Sequence, residues 1–124
     1  MQKIQDIHKA LGDFGCLIFC YLYEADIKID ITKHFEKLVE LNIIDNDCYV
    51  LDGNRLLKYF GSDKRIVRGI NYEGNTIVPY KYMYLNNEHF VIVDVNKNII
   101  FNSLENSTCV RLGEPNWEKA RYLV

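Results

Sequence analysis

Residues 89–102 read His-Phe-Val-Ile-Val-Asp-Val-Asn-Lys-Asn-Ile-Ile-Phe-Asn, two apolar β-branched runs around a short polar centre. Alternation with a period of two, broken by turn-forming residues, predicts an antiparallel hairpin. A two-residue loop at Asn96-Lys97 with type I′ geometry would set the register: Val95 faces Asn98, Val93 faces Ile100 and Val91 faces Asn102. Successive side chains in a strand point to opposite faces, so His89, Val91 and Val93 share one face with Asn102 and Ile100. His89 and Asn102 are then diagonal neighbours, close enough for their side chains to meet. The Asn102 carboxamide oxygen can accept the imidazole N–H and so set the tautomer, leaving the other ring nitrogen to accept a proton.

Further strand-like pieces surround this hairpin. Ile66–Ile70, Thr76–Tyr80 and Tyr82–Tyr84 are β-rich, with a turn at Glu73-Gly74-Asn75, and Cys109-Val110 and Ala120–Val124 can supply more strands. Pro79 lacks a backbone donor, which predicts an edge or bulged strand. The N-terminal half has the helical period instead. A short amphipathic helix over Met1–Leu11 ends at Gly12, and an apolar helix runs from Cys16 to about Ala25. Asp30 or Thr32 can cap a helix with Ile31, Phe35, Leu38, Val39 and Asn42 on one face. Asp52 or Asn54 caps another, running through Phe60 and closed by Gly61. Helices first and an antiparallel sheet second make an α+β fold in a single domain over 1–124, helical over about 1–61 and sheet over about 65–124.

The bulk composition narrows the function. A chain of 124 residues can bury a core without staples, and 48% hydrophobic with 26% charged residues is ordinary for a globular protein. A net charge of −2 with scattered Lys and Arg gives no basic face for nucleic acid. No signal peptide opens the chain, and the apolar run Cys16–Tyr23 is too short to span a bilayer, so a cytoplasmic location without membrane partners is expected. There the four cysteines should be reduced, and their spacing fits neither a zinc site nor a CxxC redox pair, so no metal or cofactor is expected. His34 lies mostly off the apolar face of its helix, which gives it little weight as a functional residue.

Among the four thiols, Cys16 stands out. It follows Gly12-Asp-Phe-Gly15 and occupies the first turn of a buried helix, where the dipole and unbonded N–H groups favour a thiolate. Cys20 lies one turn deeper and is the weaker nucleophile. Cys48 sits beside Asp45 and Asp47, whose negative charges raise a thiol's pKa. Cys16 with His89 and Asn102 makes the Cys–His–Asn form of nucleophilic catalysis.

At these residues the sequence resembles the papain-like cysteine peptidase superfamily, whose order is a Cys at a helix start, a His opening a strand, and Asn or Asp ending the next strand. The short hairpin form is similar to the double-glycine leader peptidases. The whole chain also resembles an uncharacterised family of small spirochaete plasmid and prophage proteins with a Gly-Cys near the start. The papain-like resemblance implies Cys16 as nucleophile, His89 as general base and Asn102 as its orienter, with a peptide or protein as substrate. Many papain-like enzymes place a Gln about six residues before the Cys to donate to the oxyanion. Here that position holds Ala10, and Gln5, further upstream, is the candidate donor beside the Cys16 backbone N–H. Without such a donor, a non-catalytic binding or phage-associated accessory domain on the same scaffold is the expectation.

Overall fold

Three helices of the N-terminal half all stop the same way. In the computed structural model, which describes residue 11, residues 15–104 and residues 106–124, these are α1 (Cys16–Glu24), α2 (Phe35–Glu40) and α3 (Gly53–Tyr59). After each, one residue turns left-handed: Asp26 (φ 54°), Asn42 (φ 58°) and Gly61 (φ 81°). The next N–H reaches back to an orphan carbonyl: Ile27 to Leu22, Ile43 to Leu38 and Ser62 to Leu57, each at 2.9 Å. This is the Schellman arrangement, built here on Asp and Asn as well as on glycine. Asn42 is therefore an exposed terminator rather than part of the apolar face predicted for it.

The chain divides into two compact units, 1–65 and 66–124. In the first, α1 packs against α3. Gly15 precedes α1 and donates its N–H to the Leu11 carbonyl at 2.9 Å. A Cβ there would lie 2.5 Å from that oxygen, so the approach admits only glycine. The helix expected from Asp30 is split. Asp30 accepts the Thr32 N–H and opens a 3-10 turn (Ile31–Lys33), His34 forms the junction, and α2 follows. Ile31, Phe35 and Leu38 are buried as their spacing predicts. Asp52 caps α3 by accepting the Arg55 N–H at 3.1 Å.

The second unit holds, among the described residues, six antiparallel strands: β1 (Ile66–Arg68), β2 (Thr76–Lys81), β3 (Glu88–Val93), β4 (Ile99–Phe101), β5 (Glu114–Pro115) and β6 (Arg121–Leu123). Their order is β1-β6-β2-β3-β4, with β5 also on β2. Helix α4 (Thr108–Leu112) and a 3-10 turn (Trp117–Lys119) complete the unit. Val78, Val91, Val93 and Ala120 form the centre of its core, with Tyr80, Val110 and Trp117 packed around them. The α+β class is thus observed.

Several local expectations change. Cys109-Val110 is helical in α4, not a strand. Tyr82–Tyr84 form a turn closed by the Leu85 N–H on the Tyr82 carbonyl at 3.0 Å, and their rings stack edge to face. Pro79 lies inside the sheet rather than at its edge, with β3 on one side and β6 and β5 on the other. Its carbonyl accepts the Asn116 N–H at 2.8 Å. In an antiparallel strand the N and O of one residue point the same way. The missing donor therefore faces the gap between the β6 pairing at Ile77 and the β5 pairing at Tyr80.

The hairpin loop has three residues, not two. Asp94 and Asn98 close it, through Asp94 N–H to the Asn98 carbonyl at 2.9 Å and Lys97 N–H to the Asp94 carbonyl at 3.0 Å. Lys97 takes the left-handed conformation (φ 65°), and the Asp94 carboxylate accepts the Asn96 and Asn98 N–H groups. Val93 consequently pairs with Ile99 instead of Ile100. A bulge then inserts one residue, and Ile92 pairs with Phe101. That pairing is the one a two-residue loop would give, so the expected register returns just before Asn102.

Candidate active site

His89 is the second residue of β3 and Asn102 directly follows β4. His89 shares the Val91–Val93 face and pairs across the sheet with Tyr80. Its Nε2 lies 2.6 Å from Asn102 Oδ1. The same oxygen accepts the Leu104 backbone N–H at 3.1 Å. A backbone amide can only donate, so the Asn102 atom facing the ring is the acceptor and the ring must donate. This makes His89 the Nε2–H tautomer when neutral and leaves Nδ1 with its lone pair. The Asn102–Leu104 link is an Asx turn, the local bond that a strand-ending Asn favours.

Burial governs the charge of the ring. His89 is 8% exposed, and desolvation lowers its pKa from the ordinary 6.5, opposed by the hydrogen bond to Asn102, which raises it. At neutral pH the imidazole is therefore an uncharged base. The start of β3 is tied down on both neighbouring residues. Cys109 Sγ donates to the Asn87 carbonyl at 3.3 Å, and Lys119 Nζ pairs with the Glu88 carboxylate. Both anchors come from the segment after β4, Cys109 from α4 and Lys119 from the 3-10 turn, and neither pairing is signalled by local sequence.

Cys16 opens α1 in the first unit, half-buried, at the helix start where the sequence placed it. His89 and Asn102 belong to the second unit and are brought together there. Gln5 and Ala10, which bear on the oxyanion donor, lie outside the described residues. Cys20 is fully buried. Cys48 is buried and left-handed (φ 67°), and desolvation, followed by the charges of Asp45 and Asp47, pushes its thiol up to about 12. His34 bonds through Nδ1 to the Tyr59 hydroxyl at 3.1 Å and stacks edge to face on Phe60, a structural clamp between α2 and α3. Among the described residues, no group of three or more His, Cys, Asp or Glu side chains could hold a metal ion, and no helix is long and apolar enough to cross a membrane.

No curated protein and no solved structure matches the chain. A glycine-cysteine helix start and an oriented histidine on an α+β scaffold are what the residues themselves provide. The sequence profile of DUF261, a family of proteins of unknown function, matches residues 1–116, and the chain belongs to that family.

Proposed function

We propose that this protein is a papain-like cysteine hydrolase acting on a peptide or another amide bond. The observation that carries the reading is the 2.6 Å bond from His89 to Asn102, with the ring held as the Nε2–H tautomer. In this scheme Cys16 Sγ attacks the carbonyl carbon while its proton passes to His89 Nδ1. The tetrahedral intermediate collapses, the C–N bond breaks, and the departing amine takes that proton. Water, deprotonated by His89, then hydrolyses the acyl-thioester, releasing the acid and restoring the thiol. The Cys16 backbone N–H and Gln5 are the candidate oxyanion donors.

The test is alkylation. Cys16 should react with iodoacetamide faster than a model thiol at mildly acidic pH, and His89→Ala should remove the advantage. Equal, slow labelling of all four cysteines would refute the reading. It would favour the second one, a binding domain without turnover, to which Ala10 in place of Gln and the strong burial of His89 both point.

A further inference from the structure

A cavity of about 260 Å³ opens in the second unit, lined by Lys81, Tyr82, Met83, Leu112, Gly113 and Glu114. It exists because α4 returns onto the end of β2 without a side chain in the way. A Cβ on Gly113 would lie 2.4 Å from the Lys81 carbonyl oxygen and 2.3 Å from that of Cys109. Lys81 in the lining directly follows Tyr80, the strand partner of His89.

Its lining joins apolar side chains to two charged ones. Met83 and Leu112 are 77% and 57% exposed, so long apolar side chains stand in water with Tyr82 beside them. The two charges in the lining differ in their commitments. The Lys81 ammonium donates to the Leu85 carbonyl at 2.5 Å and so closes its own loop. The Glu114 carboxylate has no hydrogen bond or ion pair among the described residues. An uncommitted carboxylate at an aliphatic and aromatic wall complements a long hydrocarbon stem ending in a cation.

We propose that this cavity binds the side chain of a lysine or arginine carried by a peptide. Met83 and Leu112 take the methylenes, the Tyr82 ring faces the stem, and Glu114 receives the charged end. The proposal concerns binding alone and stands whether or not Cys16 supports turnover.

Titration of the full-length protein followed by NMR tests it, with the Nα-acetyl N-methylamides of lysine, arginine, norleucine and glutamate as probes. The lysine and arginine probes should give saturable shifts at the Met83 methyl and the Gly113 amide. Norleucine, which has the stem without the charge, should bind about five-fold more weakly, the scale of one exposed ion pair. Glu114→Gln, a change at an exposed position, should bring lysine down to the norleucine affinity. Absence of saturable shifts, equal affinity for lysine and norleucine in the wild type, or no effect of Glu114→Gln would overturn the proposal. Preference for the glutamate probe would overturn it too and make Lys81 the reading residue.

Discussion

Replacing Asn102 with Ala removes one oxygen that accepts two bonds, from His89 Nε2 at 2.6 Å and from the Leu104 N–H at 3.1 Å. Leu104 is well exposed, so water can replace its lost acceptor. His89 is 8% exposed, and its ring N–H has little water to turn to. Leaving a buried donor without a partner costs about 1–3 kcal/mol, and that is the expected loss of stability at pH 7. The ring should also become harder to protonate. Burial lowers the His89 pKa and the Asn102 bond opposes that lowering, so the variant keeps the first influence and loses the second.

The pH dependence follows from the same imbalance. Unfolded His89 takes its proton near pH 6.5 and the folded ring resists it, so stability falls as pH drops below about 6.5, by up to about 1.4 kcal/mol per pH unit between the two pKa values. Asn102→Ala widens that interval and should lose more stability than the wild type between pH 7 and pH 5. Urea denaturation at both pH values, with imidazole ¹⁵N shifts across a titration, measures each quantity. In a His89→Gln background the extra pH dependence should vanish. The reasoning is refuted if the wild-type ring is the Nδ1–H tautomer, or if the His89 pKa stays fixed or rises in Asn102→Ala.

Three further outcomes are expected. Gly113→Ala drives a methyl group into two backbone carbonyls, which cannot rotate away, and should cost about 2–3 kcal/mol by urea denaturation; a silent substitution would mean α4 can move off β2. Cys48, buried and with its thiol pushed up to about 12, should resist iodoacetamide at pH 8.5 in the folded protein and label fully in urea, as read by peptide mass mapping. Asp52→Ala removes the cap on the Arg55 N–H and should lower stability by about 1 kcal/mol, whereas Asp52→Asn should recover most of it.

Features set by neighbouring residues were legible in the sequence. The α1 start after Gly15, the Asp52 cap and the Gly61 stop each depend on a few adjacent side chains and the backbone freedom they allow. The His89–Asn102 contact was legible for a similar reason, since alternation along two adjoining strands assigns faces without tertiary information. It holds despite the longer loop because the bulge between Ile92 and Val93 adds back the residue that the loop shifts. The choice between an Asn96-Lys97 loop and one closed by Asp94 turned on a carboxylate binding two backbone amides, which residue propensities alone do not rank.

Tertiary structure decided the rest. Val110 has strand propensity, yet Cys109 and Val110 lie in a helix, from which Val110 packs against the sheet's core and Cys109 Sγ reaches the Asn87 carbonyl. Pro79 sits inside the sheet because its one unpairable side meets a gap between two short strands, and only the assembled sheet has such a gap. The lowered pKa of His89 belongs to the same class. The sequence names the ring and its acceptor, but the water removed from around them depends on packing by residues distant in the chain.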